Sequence, residues 1–268
     1  MSQQAFQILS LLASAATWAT ALIALMSLLS IRSQQKAAHR PELTPTRQII
    51  HAIASASNGA PSYWTWTEIE TEEAVAPNSS EPARPTKAVL RERYGVRLFN
   101  LGTGAAKDIS IEWKFAIEQL VQRINQLSQR SFAEIYIEHD IKRQTLSLKT
   151  KTGEGASYFL KHDRHSRHDY ILPCSIENKG HKVFLPLWYI ELVSMYLYLA
   201  FTQKEKEEDM DDNILEIELL AKFADIAGTR YSTRFKLRTK PMIYTHSEPP
   251  TFEALLVPSC SGKVKAPR

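Results

Sequence analysis

Residues 94–113 read YGVRLFNLGTGAAKDISIEW and carry the clearest structural signal in the chain. Apolar and polar residues alternate through 94–101 and again through 107–113, as they do in strands that bury one face. Gly102 and Gly104 lie between the two runs and allow the backbone angles of a tight connection. The stretch therefore predicts two strands joined by a tight connection. A phosphate-binding loop is not indicated, because no Gly-Lys-Ser/Thr follows and the next element is a strand.

Similar alternation recurs through much of the chain after residue 46. Further strands are predicted at residues 47–55, 62–70, 132–138, 144–151, 156–161, 169–172, 214–223 and 229–238. Apolar residues at 115–129 follow helical spacing, and Pro186 suits the first turn of a second helix within 187–203. Many short strands with Gly- or Asn-containing turns indicate a mainly β (α+β) fold, an antiparallel β-sandwich with two helical insertions.

The N-terminal segment differs in composition from the rest of the protein. The 268 residues include 33 Lys and Arg and 29 Asp and Glu, yet none of these precedes Arg32. As a helix, the apolar residues 6–31 would extend about 39 Å, enough to cross a hydrocarbon core of about 30 Å. A cleaved signal peptide is the alternative, but it would have a shorter apolar core and a basic residue before it. We therefore expect a transmembrane helix.

The charges that flank this segment predict its orientation. Four cations follow it within a short distance: Arg32, Lys36, Arg40 and Arg47. Because positively charged flanks stay on the cytoplasmic side, we expect a single-pass protein of the inner membrane whose soluble domain faces the cytoplasm. Cys174 and Cys260 form no paired motif, which agrees with a reducing compartment.

Small residues recur within the apolar segment. Ala13, Thr17 and Ala21 fall on one stripe of the helix, a spacing that lets two membrane helices approach closely. Contact with the lipid bilayer is therefore expected, and self-association through this helix is an alternative that the spacing allows but does not favour.

A second apolar run at residues 187–203 could be mistaken for another membrane span. Glu191 interrupts it, and the part after Pro186 would be a helix of roughly 22 Å, which is short for a crossing. We favour a buried or membrane-surface helix over a second span.

These observations divide the chain into four parts. We expect the membrane helix at residues 1–31 and a juxtamembrane tether at 32–46. The β-sandwich domain follows at 47–243, and residues 244–268 are expected to form a flexible tail.

Three segments resemble a recurrent arrangement in uncharacterised bacterial membrane-anchored proteins. They are the apolar segment with its basic flank ending in Arg40-Pro41, the strand–turn–strand at 98–109, and the hairpin DIAGTRY at 225–231. In such proteins the Asn-x-Gly-x-Gly-x-Ala turn looks like the edge of an immunoglobulin-like sandwich. The resemblance thus implies an immunoglobulin-like domain, and it implies no particular chemistry.

A histidine cluster at residues 161–169, KHDRHSRHD, is the densest group of metal-ligand residue types. His162, His165 and His168 could ligate zinc together with a carboxylate, but a spacing of three brings the rings together only on a helix. The segment lies between predicted strands, and three cations are interleaved with the histidines. We therefore favour a solvated loop and expect no metal or other cofactor, with a metal-dependent hydrolase or nuclease-like activity as the alternative.

A basic strand at residues 229–238 suggests a further alternative. Phe235 and Leu237 alternate with the cations of this strand, which therefore share one face. That face carries Arg234, Lys236 and Arg238, and Lys240 continues it beyond the end of the predicted strand. This face would attract lipid headgroups or nucleic acid, of which nucleic acid is not favoured. A charged sheet face that prevents edge-to-edge aggregation is the simpler interpretation.

No pattern in the sequence indicates a catalytic site, since the GxSxG, HExxH and CxxC motifs are all absent. The leading hypothesis is therefore a membrane-anchored, non-catalytic binding or scaffolding module that presents its domain to a protein partner. Tyr63, Trp64 and Trp66 are expected to form an exposed aromatic surface for that partner, together with the turn at residues 102–106.

Overall fold

The computed structural model describes residues 3–57, 60–68, 93–130, 135–150, 155–161, 163–203, 215–245 and 249–264. Three helices occur: α1 (Gln3–Ala38), α2 (Ile117–Arg130) and α3 (Leu187–Thr202). Thirteen strands occur, listed in chain order: β1 (Leu43–Pro45), β2 (Gln48–Ser57), β3 (Ala60–Glu68), β4 (Gly95–Asn100), β5 (Ala106–Phe115), β6 (Ile135–Asp140), β7 (Thr145–Thr150), β8 (Gly155–Phe159), β9 (His165–Ile171), β10 (His181–Phe184), β11 (Glu216–Ala224), β12 (Arg230–Thr245) and β13 (Thr251–Val264).

The strands form three antiparallel sheets, so the mainly β prediction is confirmed. The largest sheet has seven strands in the order β3-β2-β13-β12-β11-β5-β9 and curls as a half-barrel. Two three-stranded sheets, β1-β4-β10 and β6-β7-β8, complete the domain. The facing pair of sheets that defines an immunoglobulin-like sandwich is not confirmed by this arrangement.

Helix α3 is a core helix. Twelve of its 16 residues are buried, including Trp188 and Tyr196. Two side chains tie it to the seven-stranded sheet: the Trp66 indole donates to the Ser194 hydroxyl at 2.7 Å, and the Tyr189 hydroxyl donates to the Leu215 carbonyl at 2.9 Å. A helix of about 24 Å buried on all sides is a domain core and not a second span, so the favoured prediction for residues 187–203 is confirmed.

Helix α2 joins the small β6-β7-β8 sheet to the core. Its buried face carries the apolar residues that gave the helical spacing in the sequence, among them Leu120 and Ile124. The Asn125 carboxamide pairs with both backbone groups of Ile137, accepting from its N–H and donating to its carbonyl, each at 2.9 Å. The Asn125 side chain therefore satisfies the backbone N–H and carbonyl of Ile137, which an additional strand would otherwise pair with.

The expected flexible tail at residues 244–268 is wrong for most of its length. Strand β13 lies inside the seven-stranded sheet, where it pairs with β12 on one side and with β2 on the other. Phe252, Ala254 and Leu256 alternate toward the core and are buried. Pro249, Pro250 and Pro258 hid this alternation, because proline is rare inside strands. Pro258 is accommodated opposite Leu237.

The juxtamembrane residues 32–46 are also more ordered than the word tether implies. Helix α1 continues to Ala38, and β1 begins at Leu43 and pairs with β4. Within the described residues, α1 is the one helix that is long and apolar enough to cross a membrane, and no part of its segment Ala16–Gln34 is buried against the rest of the described chain. A connection of four residues, 39–42, thus joins an exposed apolar helix to a folded β domain.

Candidate functional site

Asn100 lies at the end of β4 and organises the connection between α1 and the domain. Its side chain is 1% exposed. The carboxamide oxygen accepts from the N–H groups of Glu42 (3.0 Å) and Gly102 (3.1 Å). The carboxamide nitrogen donates to the carbonyls of Gly104 (2.8 Å) and Ile171 (3.2 Å). One buried side chain therefore uses all of its polar capacity to hold three separate segments together.

Gly102 and Gly104 allow the connection to pass close to this turn. A Cβ atom built on Gly102 would lie 2.7 Å from the Glu42 nitrogen and 2.8 Å from the Pro41 Cα. A Cβ atom on Gly104 would lie 2.7 Å from the His39 carbonyl carbon. These distances are shorter than real Cβ contacts, so both positions need glycine for close backbone approach rather than for a left-handed conformation. The Leu101 N–H adds a bond to the Glu42 carbonyl at 2.8 Å.

The other end of the connection contacts the β11–β12 hairpin. The Arg40 guanidinium lies 5.2 Å from the centre of the Tyr231 ring, within cation–π distance. The Tyr231 hydroxyl donates to the Asp225 carboxylate at 3.0 Å, and the Thr229 N–H donates to the same group at 2.7 Å. Burial alone would raise the pKa of the Asp225 carboxyl, but the hydrogen bonds from Thr229 and Tyr231 lower it.

We call residues 39–42 with Asn100, Gly102, Gly104 and Tyr231 the juxtamembrane clamp. Its described residues contain no nucleophile–base pair, and the polar atoms of the Asn100 side chain are all bonded to the backbone. Its geometry is suited to fixing the position of α1 on the domain. The turn at residues 102–106, expected to contact a partner protein, is thus occupied by the chain's own backbone.

The four flanking cations have different surroundings. Arg32 is exposed on α1, and Lys36 lies in the last turns of the same helix. Arg40 belongs to the clamp, and Arg47 is exposed between β1 and β2. All four follow the apolar part of α1 within a short distance.

The predicted aromatic surface is wrong for its two tryptophans. Trp64 and Trp66 are 5% and 2% exposed and pack against α3. The backbone N–H of Trp64 donates to the Glu191 carboxylate of that helix at 3.2 Å. Alternation correctly put both rings on one face of β3, but that face is the inner one because α3 covers it. Tyr63 pairs with Ser55 across the β2–β3 hairpin, and its side chain lies outside the described residues.

The basic strand has the predicted face, with Phe235 and Leu237 inside and the cations of β12 outside. Antiparallel pairing brings two carboxylates of β11 beside these cations. Glu216 contacts Lys236 at 2.5 Å and Arg238 at 3.6 Å, and Glu218 lies 3.9 Å from Arg234. The hydrogen bond and charge of Glu216 raise the pKa of Lys236.

Lys240 is the remaining cation of this set. It is exposed near the end of the strand, opposite Leu255 of β13. The outer face is therefore a mixed surface of paired charges, which favours the interpretation as a solvated sheet face.

The histidine cluster does not converge. His165 and His168 lie three positions apart in β9, so their side chains leave opposite faces of the strand, and His162 lies outside the described residues. Nowhere in the described part of the chain do three His, Cys, Asp or Glu side chains form a group able to hold a metal ion.

A different histidine contact was missed from the sequence. His181 of β10 faces His168, with 2.8 Å between His181 Nε2 and His168 Nδ1, and Ser166 Oγ lies 3.0 Å from His168 Nε2. Burial lowers the pKa of both imidazoles, and the charge of His181 lowers that of His168 further. This pair links the seven-stranded sheet to the β1-β4-β10 sheet. No local sequence pattern predicts it, because β10 is only four residues long and belongs to another sheet.

No protein-family model, curated protein or solved structure matches this chain.

Proposed function

We propose that this protein is a membrane-anchored, non-catalytic binding or scaffolding module. In this proposal α1 crosses the inner membrane and the β domain lies on the cytoplasmic side. The observation that carries it is the juxtamembrane clamp, which fixes an exposed apolar helix onto a folded domain through buried hydrogen bonds of Asn100. Against a cleaved signal sequence, the apolar segment at residues 6–31 is longer than the apolar core of such a sequence, and no basic residue precedes it.

The direction of the anchor follows from the flanking charges. Arg32, Lys36, Arg40 and Arg47 lie on the domain side of the apolar segment, and no cation precedes it. Keeping these charges on the cytoplasmic side supports an outside N-terminus and an inside domain.

A protein partner would need a surface other than the buried tryptophans. The outer face of the β6-β7-β8 sheet offers two exposed aromatic rings, Tyr136 and Phe159, around the Lys149–Glu138 ion pair at 2.6 Å. Aromatic rings with a polar rim are the residue types that most often carry binding energy at interfaces. We propose this face as the place where the partner binds.

The two alternatives have less support. The metal-dependent hydrolase needs converging ligands, which His165 and His168 do not provide. The lipid or nucleic-acid binder needs unpaired cations, whereas Lys236 and Arg238 both contact Glu216.

Topology is tested with the full chain in spheroplasts. We expect the protein to resist extraction at alkaline pH, to retain its N-terminal residues by mass spectrometry, and to be protected from external protease until the membrane is permeabilised. Cleavage from outside would contradict the orientation, and loss of residues 1–31 would contradict the anchor.

The partner surface is tested by affinity capture from detergent-solubilised membranes with quantitative mass spectrometry. We expect a protein that is enriched with the wild type and depleted with Tyr136→Ala/Phe159→Ala. Lys142→Ala, at an exposed position of the neighbouring β6–β7 turn, is the matched control and should retain the same protein. Equal capture by all three chains would contradict this surface.

A further inference from the structure

The end of the domain that receives α1 carries exposed apolar side chains. Ile226, at the tip of the β11–β12 hairpin, is 70% exposed, and Leu101, beside Asn100, is 57% exposed. Leu172 and Ile176, which follow β9, are also exposed. Large apolar groups at one end of a domain are characteristic of an interaction surface.

These side chains belong to one edge of the structure. Register pairs Ala224 with both Lys107 and Arg230, and Ala106 with Ile171, so the ends of β12, β11, β5 and β9 lie side by side. Adjacent strands are about 4.8 Å apart, so this row spans roughly 14 Å. The clamp crosses the same row, from Tyr231 at one end to Asn100 at the other. We call the turns at 101–105 and 225–229 with residues 172–176 the clamp edge.

The length of α1 places the clamp edge close to the bilayer. From Ile31, the last apolar residue, to Ala38, the end of the helix, the chain rises about 10 Å. The headgroup layer is about 5–8 Å thick on each side of the hydrocarbon core. The apolar segment is about 9 Å longer than the core, so the helix can tilt or sink by several ångströms and bring the edge into that layer.

The charges of the edge are close to balanced. The cations at or beside the edge are Arg40, Lys107 and Arg230, and the carboxylates are Glu42, Asp108 and Asp225. Net attraction to anionic lipid is therefore not what this surface provides. Its exposed aliphatic groups are suited to the boundary between headgroups and acyl chains, as in proteins that lie on a membrane surface.

We infer that the clamp edge is a second membrane contact, in which Ile226 and Leu101 enter the headgroup layer of the bilayer that α1 crosses. This inference rests on the proposed membrane anchor and adds a fixed orientation to it. The clamp sets the edge toward the lipid, and the edge prevents the domain from swinging about the end of α1. The outer face of the β6-β7-β8 sheet then keeps a fixed orientation relative to the membrane.

Spin labels on the full chain test the inference. The chain is reconstituted in nanodiscs of phosphatidylcholine, in a Cys174→Ser/Cys260→Ser background, and labelled at Ile226→Cys. Ile141→Cys, 60% exposed in the β6–β7 turn, is the matched control, and Leu22→Cys in α1 is the lipid reference. The ratio of collisions with lipid-soluble oxygen to collisions with a water-soluble nickel chelate measures depth. We expect this ratio to be several-fold higher at 226 than at 141.

The outcomes separate the two proposals. A lipid-like ratio at 22 with equal, water-like ratios at 226 and 141 would overturn the clamp edge and leave the anchor standing. A water-like ratio at 22 would overturn the anchor, and the edge with it. Leu101→Cys serves as a second reporter and should follow 226. The contact should persist in 1 M salt, since it is apolar, and a salt-induced return of the 226 ratio to that of 141 would overturn the apolar mechanism.

Discussion

The replacement Gly102→Ala should release the connection between α1 and the domain without altering the core. The added Cβ would lie 2.7 Å from the Glu42 nitrogen, and ordinary van der Waals contact begins near 3.4 Å. Glu42 must therefore move by about 0.7 Å, and the Arg40 carbonyl oxygen, which lies closer still to the added Cβ, must move further. Gly102 does not have a left-handed conformation, so its own backbone accepts alanine.

This displacement breaks two hydrogen bonds. They are the bond from the Glu42 N–H to Asn100, now 3.0 Å, and the bond from the Leu101 N–H to the Glu42 carbonyl, now 2.8 Å. At about 0.5–1.5 kcal/mol each, their loss costs about 1–3 kcal/mol of local stability. The amide of Leu101 should then exchange with solvent about 5- to 140-fold faster.

Hydrogen exchange of the full chain in bicelles, read by mass spectrometry on peptides covering 41–46 and 98–103, measures this effect. Gly228→Ala is the matched control, since its Cβ meets no atom within 4 Å and its only cost is a φ of +84°. If the exchange of Leu101 changed by less than twofold in Gly102→Ala, or equally in Gly228→Ala, the clamp would not hold the connection.

Three further changes can be measured by urea unfolding of the full chain in micelles. Asn100→Ala should cost about 2–4 kcal/mol, because it leaves the carbonyls of two buried residues without their donor; a cost below about 1 kcal/mol would contradict the role of this side chain. Trp66→Phe should cost about 1–3 kcal/mol through the lost bond to Ser194 and the space left behind, and an unchanged midpoint would contradict burial of the indole. Burial lowers the pKa of His168 and of His181 below the usual 6.5, so the folded state keeps both neutral while the unfolded chain takes up protons. The contribution of this pair to the free energy of unfolding should be complete above about pH 6.5 and decrease as the pH falls below it. The free energy of unfolding of His168→Asn should decrease less steeply over the same range, and identical pH profiles of the two chains would refute the assignment of this pH dependence to the histidine pair.

Most elements were predictable because their signals are local. Strands β4 and β5 and helix α2 lie within two residues of their predicted bounds, since alternation and helical spacing are set by the residues themselves. The start of helix α3 was predictable from Pro186, and its short length indicated that it is not a membrane span. Strand β10 was missed because four residues give too short a pattern, and β13 because prolines interrupt it.

The site depended on contacts between distant segments. Asn100 and Glu42 are 58 positions apart, and no sequence pattern near either residue predicts the hydrogen bond between them. Alternation alone could not predict which face of β3 is buried, because that depends on which face α3 covers. By contrast, the pairing of Glu216 and Glu218 with the basic strand was within reach: a turn at 225–229 sets Glu218 opposite Lys236 and Glu216 opposite Arg238.

The position of β13 also has a consequence for the order in which the protein forms. Strand β2 pairs with β3 and β13 within the described residues, so the hairpin at residues 48–68 can join the large sheet only through a strand that is synthesised about 190 residues later. At about 5–20 residues per second, the ribosome takes roughly 10–40 s to make that distance. An apolar helix at residues 6–31 would by then have left the ribosome. Among the described strands, β13 is therefore the one made last, and it closes the large sheet onto the hairpin at residues 48–68 long after the N-terminal helix has emerged.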